Sequence, residues 1–269
     1  MTENALIFDC DGVLADTEKD GHRVAFNEAF AAFGIPLNWG VSDYGPLLEV
    51  GGGKERIRAA MTSEVLREAG RSQEPADLDE LILLLHQYKT QRYRQIVEAG
   101  GLPARPGVAR LAAEALANDW RVAIASTSAP ESVRAVADHV LPPHVAREVR
   151  VFAGDLVPHK KPAPDIYLAA ARELDVSVER CVAIEDSPIG CASAVSAGMR
   201  CVVTESEYTT GDVFEGAALV LSDLGEPGGA PVAVRSNPGR LLLKGELRVE
   251  HLKHLLTPSH GTAPGGEAR

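Results

Sequence analysis

Two aspartates close an apolar run near the start of the chain. The run 6–8 is followed at once by Asp9, Cys10, Asp11 and Gly12, so a buried strand would deliver two carboxylates to its end. Residues i and i+2 of an extended chain point the same way, which places both carboxylates in one site unless a turn at Gly12 bends Asp11 away. Two negative charges this close need a cation or a shared proton. Mg²⁺ suits this pair because it prefers oxygen ligands. The simpler alternative is that the two aspartates belong to an Asp-rich turn that has no catalytic or metal-binding role.

Further polar residues stand at the ends of later apolar runs. A serine and a threonine end one run, an acidic pair ends another, and a lysine precedes a proline in the loop between them. These residues are Ser126 and Thr127, Glu185 and Asp186, and Lys161. Each has an ordinary structural explanation by itself, as a helix cap or a solvated loop. Because ligands bind beyond the carboxyl ends of the strands in an open parallel sheet, their joint occurrence predicts one shared site.

Phosphoryl transfer is the chemistry that suits these side chains. An aspartate can attack phosphorus and form an aspartyl-phosphate that water later hydrolyses, and we assign this role to Asp9. The leaving alkoxide needs a proton and the incoming water must lose one, which is a general acid/base role for Asp11.

The negative charge on the phosphoryl oxygens must be stabilised by a metal ion and by hydrogen-bond donors on short side chains or the backbone, because positioning and electrostatics account for most of this catalysis. We expect Lys161 to neutralise the phosphate, and Ser126 with the backbone of Thr127 to hydrogen-bond it. The predicted Mg²⁺ ligands are Asp9, Asp11, Glu185 and Asp186.

The segment 16–99 has helical periodicity, and no strand is predicted within it. The predicted elements there are helices over 16–34, 54–68 and 77–98, with a loop over 36–53. From 100–107, a stretch rich in Gly and Pro, the pattern changes. Strands are then predicted over 121–125, 151–154, 181–184, 201–203 and 219–221, with helices over 164–174 and 188–198.

This alternation of apolar strands with helices predicts an α/β fold, a Rossmann-like parallel sheet core with an inserted helical cap domain. We assign residues 1–15 and 100–224 to the core and 16–99 to the cap. Residues 225–269 form a C-terminal extension with one predicted helix over 247–256 and a polar tail expected to be partly disordered.

Composition excludes several classes of partner. The net charge is −11, with 38 acidic against 27 basic residues, which argues against a nucleic-acid backbone or an anionic membrane surface. The four cysteines have no CxxC spacing, so they are expected to be buried thiols in a reducing compartment rather than zinc ligands. The first residues contain no basic region followed by a long apolar segment, and no apolar run approaches membrane-spanning length, so we expect neither a leader nor a membrane span. We therefore expect a cytoplasmic monomer acting on a small molecule.

The joint pattern resembles the haloacid dehalogenase superfamily of phosphotransferases. The motifs of that superfamily are DxDG, a Ser/Thr after the next core strand, a Lys before Pro, and an acidic pair after a later strand. Here they correspond to Asp9 to Gly12, Ser126, Lys161 and Glu185 with Asp186. The resemblance implies a Mg²⁺-dependent phosphoric monoester hydrolase with a cap inserted after the first motif. The presence of Asp11 distinguishes this chain from the dehalogenases proper, which lack this acid/base residue.

The cap looks like that of the CbbY-type sugar-bisphosphate phosphatases, whose known members dephosphorylate xylulose 1,5-bisphosphate, an inhibitor made by Rubisco. The resemblance implies contacts to the sugar and its second phosphate from Glu18, Tyr44, Gly52, Gly53, Lys54, Glu55 and Arg56. Glycine amides and basic side chains at a helix start form an anion cradle, which makes this physically sensible. A flexible loop before a charged helix is the alternative.

Two other functions share these motifs. A sugar phosphomutase of the β-phosphoglucomutase type has the same core and cap, and returns the phosphoryl group to a second hydroxyl instead of to water. A phospho-Asp signalling domain or noncatalytic binding module is the third possibility, but a cap inserted between Asp11 and Ser126 argues against it.

Overall fold

Within the residues that the structure describes, 4–50, 52–154 and 156–257, seven strands form one sheet in this computed structural model. The strands are β1 Ala5–Phe8, β2 Arg121–Ser126, β3 Arg150–Ala153, β4 Cys181–Glu185, β5 Arg200–Thr204, β6 Leu219–Leu221 and β7 Val234–Ser236. Their order is β3-β2-β1-β4-β5-β6-β7, and β1 to β6 are parallel. The predicted α/β fold with a Rossmann-like parallel sheet is confirmed.

Helices on both faces cover this sheet. They are α6 Val108–Ala117, α7 Pro130–Val140, α8 Pro143–Glu148, α9 Asp165–Leu174, α10 Pro188–Ser196 and α11 Val249–Leu256. Five further α-helices precede them in the chain, in a segment inserted after β1. Alternation along β1 sends Leu6 and Phe8 into one apolar cluster and Ala5 and Ile7 into the other. Both faces of β1 are therefore buried, which is why its sequence is continuously apolar.

The insertion between β1 and β2 is helical. A π-helical turn, Thr17–His22, leads into α1 Arg23–Ala32, and α2 Val41–Tyr44, a 3₁₀ turn Gly45–Glu49, α3 Gly53–Ala60, α4 Ser63–Glu68 and α5 Pro75–Glu98 follow. It has its own apolar cluster, which includes Phe26, Phe30 and Leu85. The two chain segments that join it to the sheet run side by side, with the amide of Arg105 donating to the carbonyl of Leu14 at 2.9 Å.

Two predictions for the insertion were wrong in detail. The helix predicted over 54–68 is two helices, because the Thr62 hydroxyl accepts the N–H of Val65 at 3.3 Å and so caps a new helix. The loop predicted over 36–53 contains α2 and the 3₁₀ turn. Neither element exceeds five residues, which is too short for a clear periodic signal.

The chain after residue 224 packs onto the core. Strand β7 pairs antiparallel with β6 and was not predicted, since its three residues are all exposed and lack an apolar alternation. The helix predicted over 247–256 is observed as α11, and Leu247 and Leu252 join the main apolar cluster. The predicted polar tail lies beyond residue 257, outside the described residues.

Across the described ranges, we find no helix both long enough and apolar enough to cross a membrane.

Candidate active site

Asp9 lies where β1 leaves the sheet. Its amide donates to the carbonyl of Ile184 at 2.8 Å, and the parallel register pairs Phe8 with Ile184. This register brings Asp9 level with Glu185, the last residue of β4. Both residues are buried, so two acids from distant parts of the chain share one water-poor site.

Lys161 joins these two acids. Its Nζ donates to Oδ1 of Asp9 at 2.6 Å, to Oε1 of Glu185 at 2.6 Å and to the carbonyl of Ala125 at 3.1 Å. Only 8% of the lysine side chain is exposed. Burial by itself lowers the pKa of Lys161, but the carboxylates of Asp9 and Glu185 outweigh it and raise the pKa, so the ammonium stays charged. The hydroxyl of Tyr167 also donates to Oε1 of Glu185.

Three carboxylates form a potential metal site. One oxygen each from Asp9, Glu185 and Asp186 lies within 4.8 Å of the others, and all three residues are buried. Oε2 of Glu185 is buried and has no hydrogen-bond partner among the described residues. A Cβ at Gly12 would lie 1.9 Å from Oδ2 of Asp186, and one at Gly190 would lie 1.9 Å from Oε2 of Glu185. The two glycines therefore leave room for carboxylates whose free oxygens suit a hard cation such as Mg²⁺.

The charge balance of this cluster also favours a cation. Burial raises the pKa of Asp9 to about 7, with Lys161 opposing the rise and Glu185 and Asp11 adding to it. Burial also raises the pKa of Asp186, and the charges of Asp9 and Glu185 raise it further. One lysine does not offset three buried carboxylates. A divalent cation would keep them ionised, and the donor set therefore fits Mg²⁺.

Asp11 is turned away from the three carboxylates. Its Oδ1 accepts the Thr17 hydroxyl at 2.6 Å, and its Oδ2 accepts the Ser128 hydroxyl at 2.5 Å. The turn at Gly12, which has φ of +77°, accounts for this because it ends the extended register after Asp9. The side chain of Asp11, predicted as a fourth metal ligand, is not part of the cluster. The sequence analysis assigned no role to Thr17 or Ser128, although both lie in segments that it singled out.

Ser126, the last residue of β2, and Thr127 lie at the same edge. Ser126 is buried, and its Oγ accepts the amide of Ser128 at 3.1 Å. Thr127 is exposed. The carbonyl of Ala125, immediately before them, accepts from Lys161, so the end of β2 adjoins the lysine and the first strand.

Arg105 holds the loops around this edge together. Its guanidinium donates to the carbonyls of Gly12 and Glu205, to the carbonyl of Thr204 at 3.2 Å and to that of Ser222 at 3.1 Å. These carbonyls end β5 and β6 and form the turn that carries Asp11. Sequence analysis missed Arg105, because nothing in the 100–107 segment distinguishes a carbonyl-binding arginine from a surface one.

In the insertion, Glu18, Tyr44 and Arg56 form a polar cluster. The Tyr44 hydroxyl donates to Oε2 of Glu18 at 2.7 Å and accepts from Nη1 of Arg56 at 2.5 Å. Arg56 also donates from Nε to the carbonyl of Leu47 at 3.0 Å, and its guanidinium lies over the rings of Phe26 and Tyr44. Burial raises the pKa of Glu18, although Tyr44 and Arg56 oppose the rise. The structure thus joins three of the predicted substrate-binding residues.

The remaining predicted cap residues lie nearby in sequence but differ in environment. Gly52 has φ of +95° and precedes α3, which begins at Gly53. Lys54 and Glu55 are exposed in the first turn of that helix, whereas Arg56 is buried. A substrate-binding role for all of them stays a prediction.

A second buried cation was missed by sequence analysis. Nζ of Lys89, on α5, lies 2.9 Å from Nδ1 of His22 and 4.6 Å from the centre of the Phe26 ring. The ring of His22 stacks on that of Tyr93 at 3.9 Å. Burial lowers the pKa of Lys89 to about 8, with Glu18 opposing the change. Helical periodicity identifies the apolar face of α5 but does not reveal a lysine within it.

A capped parallel sheet, with a lysine and a carboxylate cluster at the carboxyl ends of its strands, defines an α/β phosphoryl-transfer hydrolase. The chain belongs to the haloacid dehalogenase-like hydrolase family, whose model matches residues 3–198, and it is a phosphoric monoester hydrolase.

Several relatives are CbbY or CBBY-like proteins. A CBBY-like protein of Arabidopsis thaliana is 46% identical over 224 residues, covering 83% of this chain and 70% of its own. Protein CbbY of Cereibacter sphaeroides is 43% identical over 238 residues, covering 85% and 99%. The crystal structure of CbbY from Rhodobacter sphaeroides in complex with phosphate has a TM-score of 0.65 and 42% identity, covering 83% of this chain and 95% of that one. A mutant of that CbbY, in complex with xylulose-(1,5)bisphosphate, has a TM-score of 0.65 and 41% identity, with the same coverage.

Proposed function

We propose that this hydrolase is a Mg²⁺-dependent phosphatase for a sugar bisphosphate, with xylulose 1,5-bisphosphate as the first candidate substrate. The observation that carries the proposal is the contact of Lys161 with both Asp9 and Glu185, next to Asp186. A buried, lysine-paired aspartate beside a cation site is the arrangement that a phosphate-attacking nucleophile needs.

In the first step an oxygen of Asp9 attacks phosphorus, the bond to the sugar oxygen breaks, and Asp11 gives its proton to that oxygen. In the second step Asp11 takes a proton from water, the water oxygen attacks the aspartyl-phosphate, and inorganic phosphate leaves while Asp9 is restored. The hydrogen bonds from Thr17 and Ser128 hold the Asp11 carboxyl in position for both proton transfers.

Lys161 stabilises negative charge in both steps. Its ammonium stays charged and lies at the site where negative charge collects, which lowers the cost of bringing a phosphate to a carboxylate. Mg²⁺, held by Asp9, Glu185 and Asp186, would supply further positive charge there. Ser126 and the backbone of Thr127 complete the phosphate-binding end of β2.

The substrate proposal rests on the cap and on the relatives. A mutant CbbY was crystallised in complex with xylulose-(1,5)bisphosphate, and relatives of this chain include a CBBY-like protein and a protein CbbY. In this chain Glu18, Tyr44 and Arg56 form a linked acid, phenol and guanidinium. Such a group can recognise hydroxyls and a second phosphate of a sugar bisphosphate.

Phosphate release tests this proposal. Purified enzyme with Mg²⁺ should release inorganic phosphate from xylulose 1,5-bisphosphate, and Asp9→Asn should abolish release because the amide cannot act as the nucleophile. Asp119→Asn, at an exposed loop position with φ of +60° that asparagine tolerates, is the matched control. Accumulation of an isomeric sugar phosphate without free phosphate would indicate the mutase instead, and retained activity in Asp9→Asn would refute the nucleophile assignment.

A further inference from the structure

The loop after β5 connects the catalytic edge to the cap. Its first residues, Glu205 and Ser206, are buried, and the amide of Ser206 donates to the hydroxyl of Thr209 at 2.9 Å. Arg105 donates to the carbonyls of Thr204 and Glu205 at this base and also to that of Gly12, which lies against the carboxylate of Asp186. The base of the loop is therefore tied to the carboxylate cluster.

The tip of this loop carries Tyr208, which contacts the cap. Its ring centre lies 5.9 Å from that of Tyr44, at an interplanar angle of 59°. A Cβ built at Gly45 would lie 3.2 Å from Cδ1 of Tyr208, so the ring also packs closely against the main chain there. Tyr208 belongs to the core in sequence, but it packs against the apolar cluster of the cap.

The residue that Tyr208 touches is central to the polar cluster of the cap. Tyr44 is hydrogen-bonded to both Glu18 and Arg56 through its hydroxyl. A shift of the Tyr44 ring would displace that hydroxyl and, with it, the two charged groups. Tyr208 thus packs on the residue that links Glu18 to Arg56.

The ring of Tyr208, rather than its hydroxyl, makes this contact. The hydroxyl oxygen is buried and has no hydrogen-bond partner within the described ranges. A buried hydroxyl without a partner is unfavourable. Removal of the Tyr208 hydroxyl should therefore leave the contact between its ring and Tyr44 intact.

We propose that Tyr208 is a positioning residue, whose ring docks the core loop on Tyr44 and holds Glu18 and Arg56 in register with Asp9. This deepens the proposed function and rests on it, because the register matters only for a substrate that spans from Asp9 to the cap. A small aryl phosphate occupies the core alone and does not depend on Tyr208.

Three variants test the role of the ring. Tyr208→Ala should lower kcat/KM for xylulose 1,5-bisphosphate about tenfold and that for p-nitrophenyl phosphate less than about twofold. Tyr208→Phe keeps the ring and should retain both values. Tyr88→Ala is the matched control, since it removes a cap tyrosine that packs edge-on against Phe33 rather than against Tyr44, and it should not change the ratio between the two substrates. Equal losses on both substrates in Tyr208→Ala, or a loss in Tyr208→Phe equal to that in Tyr208→Ala, would overturn the proposal.

Amide hydrogen exchange separates this inference from the proposed function. Exchange over Gly45–Glu49 should become several-fold faster in Tyr208→Ala and stay unchanged in Tyr208→Phe and Tyr88→Ala. If the wild type hydrolyses no sugar bisphosphate, the proposed function fails, while accelerated exchange still supports the docking contact. Unchanged exchange in Tyr208→Ala refutes the docking contact whatever the substrate is.

Discussion

Nζ of Lys161 lies 2.6 Å from Oδ1 of Asp9, although the two residues are separated by 152 positions in the chain. Both side chains are almost fully removed from water, with 8% and 11% exposed. Burial raises the pKa of Asp9 to about 7 and the adjacent ammonium opposes that rise, so the pair favours the ionised form in which Asp9 can act as a nucleophile.

Replacement of this lysine should damage both catalysis and folding. Lys161→Met should lower kcat at least about 100-fold, because the phosphoryl charge loses its nearest protein cation. Two buried carboxylates would also lose their partner, so the free energy of unfolding of the metal-free protein should fall by about 3–5 kcal/mol in urea titrations. The exposed neighbour gives the control, since Lys160→Met should keep most activity. Comparable activity in the two variants would contradict the role of Lys161.

The acid/base role of Asp11 should depend on the leaving group. Asp11→Asn should lower kcat about 10²- to 10⁴-fold for a sugar phosphate, whose alkoxide needs a proton. Formation of the aspartyl-phosphate should slow much less with p-nitrophenyl phosphate, because its leaving group departs unprotonated, and the aspartyl-phosphate should accumulate because its hydrolysis lacks the base. Thr17→Val removes the hydrogen bond to Oδ1 of Asp11 and should show the same substrate dependence with a smaller loss. An equal loss on both substrates without any accumulation of the aspartyl-phosphate would assign Asp11 a structural role.

Removal of metal should stop turnover and lower stability together. Chelation with EDTA should abolish phosphate release, and Mg²⁺ should restore it and raise Tm, because the cation relieves repulsion within the carboxylate cluster. Asp186→Ala should raise the Mg²⁺ concentration needed for half activity more than Glu185→Ala, since Lys161 and Tyr167 already occupy Oε1 of Glu185. Full activity after complete chelation would exclude a metal requirement.

Two neighbouring basic residues of the cap should behave differently. Arg56→Ala should lower kcat/KM for xylulose 1,5-bisphosphate about 10- to 100-fold and should also lower Tm, since Glu18 and Tyr44 lose a buried partner. Lys54→Ala should reduce kcat/KM without a change in Tm, because its side chain is exposed. Activity on an aryl phosphate should fall much less in both. Loss of Tm in Lys54→Ala, or an unchanged kcat/KM in Arg56→Ala, would disagree with the structure.

His22 should make the cap sensitive to acid. Burial lowers the pKa of His22 well below its ordinary value of 6.5, and the charges of Lys89 and Arg56 lower it further. Below about pH 6.5 the unfolded chain therefore binds a proton that the folded chain does not, so stability is retained above this pH and is lost as the pH falls. His22→Gln removes this titration. The free energy of unfolding in urea should accordingly fall less between pH 7 and pH 5.5 in the variant than in the wild type, and parallel curves would contradict the buried neutral state.

Local sequence determined the class of the protein. An apolar strand that ends in Asp9 and Asp11, a hydroxyl pair after a second strand, Lys161 before proline and an acidic pair after a third are all patterns of short range. Strand register and the parallel sheet then bring them together, because the carboxyl ends of parallel strands lie along one edge. For this reason Asp9, Lys161, Glu185 and Asp186 could be identified as neighbours before any coordinates were known.

Only the tertiary structure decided the partners of these groups. The turn at Gly12 separates Asp11 from the carboxylate cluster, and Asp11 instead accepts hydrogen bonds from Thr17 and Ser128. Lys89 contacts His22, which is 67 residues away in the chain. The contact between Tyr208 and Tyr44 likewise joins the core to the cap across 164 positions, from 208 − 44. Such contacts depend on how whole helices and loops pack, and no periodicity or spacing in the sequence encodes the distance between two side chains on separate elements.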